Sequence, residues 1–578
     1  MRSVLVCVLV FVVPHALPVA APSSAETVAA DPPFREVAAA TGLDFVHFNG
    51  MSGERFLVEI TGGGVALLDY DNDGDLDVYL VQGHMLGNGK SISDAILAPS
   101  HPLPLSDRLY RNDSLADGEF RFVDVTVASR IPPGGYGMGA ATGDFDADGW
   151  ADLYVTNFGS NRLLRNRGDG SFEDVTESSG ADDPRWSVAA SFFDFDLDGH
   201  LDLFVGNYLD FHFELHETCP SATGSPDYCG PLSYRAVMDR LLRNRGDGTF
   251  EDVSEGSGIA GAYGSALGAT SEDFNGDGLP DLYVANDMVP NLLWTNAGGG
   301  RFEEDGLLSG AAVNGEGLPE ASMGVDAVDF DDDGDVDLFL GHLAGETNTL
   351  YANDGAGLFR DSTVRTGLSG PSFQSTVFGT VWLDYNGDGR LDLATAAGAV
   401  TVIPALERAG DRFPLHQRNQ LFRGTGSGTF EDVTERAGPA WQLSEVSRGI
   451  ALGDIDNDGD PDLVIANNGG PVRLLENTSS FRCWSGIRAR LRPGASDAMG
   501  SSLEVRAGDR SIRRRIRTDG SYASARDPRV LIAGDVCAPA ALRIVSADGS
   551  EKRWVGPPGS AYLEIYVDSG AAAASGAS

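Results

Sequence analysis

The chain has 578 residues, 42% of them hydrophobic, so it is long enough to bury a large core. A formal charge of −43 argues against nucleic acid or an anionic membrane as the partner of most of its surface and points to cations instead. The 74 glycines imply many tight turns.

At the N-terminus, Arg2 precedes an apolar run from Val4 to Val13, and small residues follow to Ala25. Residues 1–25 therefore read as an export signal, with cuts available after Ala21 or Ala25, and the run is too short for a permanent membrane helix. Cys7 would leave with it. The mature chain is expected outside the cytoplasm: secreted or, in a bacterium, periplasmic or at the cell surface, with no transmembrane segment.

A lone FREVA, Phe34 to Ala38, stands ahead of the first acidic loop, DYDNDGDLD, from Asp69 to Asp77. The loop recurs six times with Asp at position 1, Asp or Asn at 3, Asp at 5, Gly at 6 and Asp at 9. The candidate metal ligands are Asp69, Asp71, Asp73 and Asp77; Asp144, Asp146, Asp148 and Asp152; Asp194, Asp196, Asp198 and Asp202; Asp273, Asn275, Asp277 and Asp281; Asp329, Asp331, Asp333 and Asp337; Asp384, Asn386, Asp388 and Asp392; and Asp454, Asp456, Asp458 and Asp462. Carboxylates at alternate positions of a tight loop converge and repel unless a cation sits among them. Oxygen donors in that number suit Ca²⁺ at roughly 2.3–2.6 Å, with a backbone carbonyl from position 7. Up to seven ions are expected, and filling every site would still leave the charge at −29.

An EF-hand would need a bidentate Glu at position 12 and flanking helices. Position 12 holds Leu80, Val155, Val205, Val284, Leu340, Thr395 and Ile465, and the flanks are short, Gly-bounded and β-rich. The loops therefore join strands.

A second signature follows most loops, LLRNRGDGSFEDVTE in its fullest form from Leu163 to Glu177. Its Asn-x-Gly-x-Gly core predicts a hairpin turn between two further strands, giving about four strands per unit. First aspartates lie 50 to 79 residues apart, a period of propeller blades rather than sandwiches. The seventh unit lacks its FEDVT strand, so FREVA is expected to supply it and close the ring, hiding both edges. The predicted fold is an all-β, seven-bladed propeller over 33–478, followed by a small β-rich domain over 479–568 and a disordered tail, 569–578.

Cys219, Cys229, Cys483 and Cys537 remain after export. Cys219–Cys229 and Cys483–Cys537 are the proposed pairs, although four cysteines permit three connectivities. Zinc at the first pair, with His212 and His216, is the alternative.

The calcium loops resemble the FG-GAP and VCBS repeats of integrin alpha-chain propellers. The order of features resembles the cartilage acidic protein family, bacterial members included, in which such a propeller precedes an ASPIC/UnbV domain. NYLDF with Cys219 and YCGP at Tyr228 to Pro231 is similar to an insertion of the bacterial members. Met499-Gly500 with SLEV, GSYASARDPRVLIAGD and LRIVSADG resemble ASPIC/UnbV, with a departure at Val545 to Ala547, where a Trp-Pro pair is usual.

The segment 479–568 carries 15 Lys or Arg against 10 Asp or Glu. Arg513 to Arg517 is expected to form a strand face or to dock on the acidic propeller rather than bind glycosaminoglycan or nucleic acid. RGD at Arg167 to Asp169 and Arg245 to Asp247 falls in the repeat's hairpin turn, which argues for turn chemistry over adhesion. GNGKS at Gly87 to Ser91 lacks the spacing of a phosphate loop. His84, His101, His200, His342 and His416 show no triad spacing. The expected function is an exported calcium-binding propeller acting as an extracellular binding or adhesion module for a protein or glycan, not an enzyme, with calcium structural. The alternative is a hydrolase or lyase acting on polysaccharide at the propeller's central mouth.

Overall fold

The computed structural model describes residues 32–113, 120–221, 224–481, 483–507, 510–533, 541–546, 549–555, 560–567 and 575–576. The export signal, Cys7 and Cys537 lie outside them.

Among the described residues, seven four-stranded antiparallel sheets are built from Phe34 to Asn477. In the first, Val65–Leu68, Asp77–Leu80, Arg108–Asn112 and Phe122–Asp124 pair in chain order. Leu68 faces Asp77, so the acidic loop is the turn of the innermost hairpin. The other six loops occupy the same turn of their sheets. The innermost strands, Val65–Leu68, Gly137–Gly143, Ser187–Phe193, Ala266–Glu272, Val325–Val328, Val377–Leu383 and Ser447–Gly453, touch their successors, and the last touches the first. That contact pattern is a closed ring.

The chain's own start completes the seventh sheet. Phe34–Glu36 pairs antiparallel with Arg473–Asn477, placing Phe34 opposite Asn477, and the Arg35 guanidinium forks onto Glu476. The expected all-β propeller closed by an N-terminal strand is what the structure contains, and the pairing removes the free edge that would invite aggregation.

The FEDVT signature locks the two outer strands. Asp174 accepts from the Thr176 backbone N–H, while Thr176 Oγ1 accepts from Leu163 N–H at 2.9 Å. Ser254, Thr363 and Thr434 repeat the second bond in their blades. The RGD tripeptides sit in the preceding turn, where Asp169 and Asp247 accept from Ser171 and Thr249.

Two further four-stranded sheets pack together at the C-terminal end. One orders Val530–Ala533, Trp484–Arg490, Ala561–Tyr566 and Ser575–Gly576; the other Arg510–Arg515, Ser502–Ala507, Ala541–Val545 and Glu551–Val555. Ile487, Leu503, Val505, Ile544, Leu563 and Ile565 form their shared core. Of the tail expected to be disordered, only Ser575–Gly576 is described, as that short strand; the rest lies outside the described residues.

Between these sheets, residues 517–527 run through the centre of the ring. Thr518 Oγ1 donates to the Thr142 carbonyl, Asp519 accepts from Ser191 Oγ and Ser271 N–H, and Ser521 exchanges backbone bonds with Val325. Ser521 Oγ accepts from Thr380 N–H, Ala525 pairs with Val65 and Leu67, and Asp527 N–H reaches Leu452. The segment thus bonds to the inner strands of all seven sheets. Small residues make room for it: a Cβ on Gly64 would lie 2.3 Å from the Ala523 carbonyl oxygen, and one on Gly449 2.5 Å from Ser524 Oγ.

At the far end Tyr522 joins an apolar cluster with Phe56, Trp186, Tyr208, Phe211, Tyr228, Phe378 and Phe413. Much of this cap comes from insertions in the first, third and sixth units. The third carries the Cys219–Cys229 disulfide, in agreement with the first proposed pair. The zinc alternative loses its thiolates there, and His212 and His216 instead meet Asp210 and the Glu54 carbonyl. Cys483 is also disulfide-bonded.

Candidate metal centres in the acidic loops

All seven loops share one backbone. Position 4 lies in the left-handed region throughout, at φ 56° for Asn72, 57° for Ala147, 59° for Leu197, 73° for Gly276, 61° for Asp332, 67° for Gly387 and 59° for Asn457. For a residue such as Leu197 this conformation costs roughly 1–2 kcal/mol, so the surrounding loop must enforce it.

The aspartates divide the work. Position 1 closes the turn: Asp144 Oδ1 and Oδ2 accept from Asp148 and Gly149 N–H at 3.1 and 2.7 Å, a pattern repeated at Asp194, Asp273, Asp329, Asp384 and Asp454. Position 5 accepts from the N–H two residues on, as Asp73 does from Asp75. Position 9 ties the loop to the third strand: Asp77 accepts from Tyr70 N–H at 3.0 Å and Asn112 N–H at 2.8 Å. Every later loop repeats both bonds, with Gly424 standing in for Asn in the sixth blade.

Acceptor atoms are left over. Carboxylate oxygens of Asp69, Asp71 and Asp77 lie within 4.8 Å of one another, as do those of Asp144, Asp146 and Asp152, of Asp194, Asp196 and Asp202, of Asp329, Asp331 and Asp333, and of Asp454, Asp456 and Asp462. In the remaining two loops Asn275 and Asn386 replace the second carboxylate with an amide oxygen, which accepts from Asp277 and Asp388 N–H. One oxygen each of Asp69, Asp71, Asp146 and Asp196 is buried with no protein hydrogen-bond partner. In the second and third loops Arg165 and Arg243 reach Asp146 and Asp196 at 2.5 and 2.7 Å. Burial, reinforced by neighbouring aspartates, pushes Asp71, Asp144, Asp194 and Asp384 up to about 6 and Asp202, Asp337 and Asp392 up to about 8. Two unit charges 4 Å apart repel by about 4 kcal/mol at an effective dielectric of 20. All-oxygen donors with spare lone pairs fit a hard divalent cation.

Six of the seven loops are also latched into the seam between blades. The third-strand Asn of the next blade donates Nδ2 to the position-2 carbonyl: Asn166 to Tyr70 at 2.8 Å, Asn244 to Phe145 at 2.7 Å, Asn296 to Phe195 at 2.8 Å, Asn353 to Phe274 at 2.9 Å, Asn477 to Tyr385 at 2.9 Å and Asn112 to Ile455 at 2.9 Å. The position-2 ring packs against the next blade's outer-strand Phe, as Tyr70 does on Phe172 and Phe195 on Phe302. Tyr385 meets Phe34 of the closing strand in the same way. Reading the Asn only as a turn residue missed this latch.

The C-terminal sheets lie over the loops. Arg488 donates to Asp69 at 2.8 Å, Ser496 Oγ to Asp144 at 2.7 Å and Tyr562 Oη to Asp454 at 2.6 Å. The basic run docks on the propeller as expected: Arg513 donates to the Gly334 carbonyl, Arg515 pairs with Glu272, and Arg517 with Asp326 and Asp519.

One constellation escaped sequence reading. Ser322 Oγ lies 3.0 Å from His342 Nε2, and His342 Nδ1 lies 3.4 Å from Glu320, the order of a hydrolytic triad. Ser322 and His342 are fully buried, so no substrate reaches the hydroxyl, and the group serves as a hydrogen-bond network. The other histidines are dispersed; His101 Nε2, for instance, accepts from Val46 N–H.

The sequence model described as the FG-GAP-like repeat matches residues 69–155, 144–205, 224–284, 273–340, 329–395 and 412–501. The chain belongs to the FG-GAP-like repeat family. It is similar to Cartilage acidic protein 1 of Xenopus tropicalis, 26% identical over 297 residues, 50% of this chain and 40% of that protein. The human protein of that name is 26% identical over 275 residues, 46% of this chain and 36% of the relative. The chain thus spans well under half the length of these curated relatives. Among solved structures, the BP39L lectin from Burkholderia pseudomallei aligns at 11% identity over 73% of this chain and 97% of the lectin, with a TM-score of 0.41. No helix among the described residues of this FG-GAP repeat protein is long and apolar enough to cross a membrane.

Proposed function

We propose that this chain is an exported, calcium-loaded propeller that serves as an extracellular binding module, with calcium structural at the seven loops. The observation that carries the reading is the set of buried carboxylate oxygens left without partners at the blade seams. The residues that would hold each ion are those of positions 1, 3, 5 and 9, from Asp69, Asp71, Asp73 and Asp77 to Asp454, Asp456, Asp458 and Asp462. Bound calcium would supply charge neutralisation, and because the unfolded chain offers no such cage, its binding free energy adds to folding free energy. Export over 1–25, a propeller over 33–478, and an ASPIC/UnbV-like β domain over 479–568 belong to the same proposal. The disulfide in the third unit and the similarity to a protein named for cartilage support a location outside the cytoplasm.

The competing hydrolase or lyase reading needs room at the ring's centre. Residues 517–527 occupy that centre and the apolar cap lies across its far end, which favours a binding role for the outer surface. Capture from an extracellular fraction with and without calcium, beside a glycan array and a reducing-end assay, tests this. Calcium-dependent retention of a protein or glycan without new reducing ends is expected; release of new ends would reverse the assignment.

A further inference from the structure

The seventh loop, DIDNDGDPD, holds five aspartates, and the one at position 7, Asp460, is not used by the arrangement described above. Position 7 is also Asp in the first and fifth loops. Asp75 and Asp335 are only half-buried, and Asp75 accepts from Asn457 Nδ2 at 2.7 Å. Asp460 is 2% exposed, and neither of its carboxylate oxygens has a hydrogen-bond partner.

Its surroundings explain the burial without satisfying the charge. The Asp460 backbone N–H donates to Asp458 Oδ1 at 3.0 Å, folding the residue back on its neighbour. Two neighbouring carboxylates repel unless a proton or a cation lies between them. Trp484 packs over Gly459, Tyr562 bonds Asp454, and Arg529 spends its donors on Asp527, Asn457 and the Asp454 carbonyl. No cationic side chain among the described residues forms an ion pair with Asp460.

We propose that the seventh loop carries a second divalent-cation site, held by Asp458 and Asp460 beneath the C-terminal sheets and beside the site of Asp454, Asp456 and Asp462. Asp458 would then be shared between the two ions, its two oxygens supplying hard donors to both. The inference rests on the calcium reading of the loops.

The test is a calcium count on the full chain by equilibrium dialysis with elemental analysis, comparing wild type, Asp460→Asn and Asp75→Asn. The expected result is one ion fewer for Asp460→Asn and no change for Asp75→Asn. Equal, non-zero counts for wild type and Asp460→Asn overturn the second site and leave the calcium reading standing; a wild type without bound metal removes both. Should Asp460→Asn fail to fold, crystals of wild type soaked in terbium decide. Two anomalous peaks at the loop, one between Asp458 and Asp460, support the site, and a single peak contradicts it.

Discussion

Asn244 shows how one side chain can join three pieces of structure. It donates to the Phe145 and Leu201 carbonyls at 2.7 and 2.9 Å, accepts from Gly246 N–H, and is buried. Replacing it with Ala removes its bonds to one buried and one half-buried carbonyl, so Asn244→Ala is expected to lower stability by about 1–3 kcal/mol in denaturant unfolding with calcium present. Ala147 offers the opposite case. Its side chain is exposed and its φ of 57° suits glycine, so Ala147→Gly should raise stability by up to about 1 kcal/mol. A drop in the denaturation midpoint would show that the loop backbone is not strained there. The acidic-loop pattern was legible in the sequence because its spacing lies within nine residues. The latch was not, because Asn166 and the Tyr70 carbonyl lie 96 residues apart and meet only once the ring has closed.

At the scale of the loop and its blade, metal-free stability should depend on pH in a defined direction. Burial raises Asp202, Asp337 and Asp392 to about 8 in the folded chain, against roughly 3.9 when unfolded. The fold therefore binds these protons more tightly than the unfolded chain does, and its stability falls as pH rises from about 4 towards 8. In excess chelator, melting is expected at a higher temperature at pH 5 than at pH 8; the reverse order would contradict the burial of these carboxylates. Blades also differ. Gly424 takes the place of the latch Asn in the sixth, so no side chain crosses from that position to Phe330. Amide exchange should be fastest at the seam between the fifth and sixth blades. FREVA could be assigned as the closing strand because one unit was a strand short and one strand was spare, an argument from counting that needs no distances.

Across the whole molecule the central segment was the least legible part. GSYASARD has small residues and no strong strand or helix period, and its role depends on the radius of a ring assembled from the rest of the chain. Its burial tethers the C-terminal sheets to the propeller, because Tyr522, Ala523 and Ala525 belong to the propeller's apolar clusters. Asp519 is buried among Arg517, Ser191 and Ser271, so Asp519→Ala removes one of the two carboxylates on Arg517 and should cost about 1.5–3 kcal/mol, loosening both sets of sheets together in limited proteolysis. Release of the C-terminal sheets alone, with the propeller intact, would show that the segment is a passive filler. In the proposed function, cations at the blade seams keep the ring shut. Scanning calorimetry of the full chain at pH 7.5, in millimolar calcium and in excess chelator, tests that most directly. Several sites each contributing about 3–4 kcal/mol when well saturated should raise the melting temperature by at least about 10 °C with calcium; two superimposable melts would contradict it.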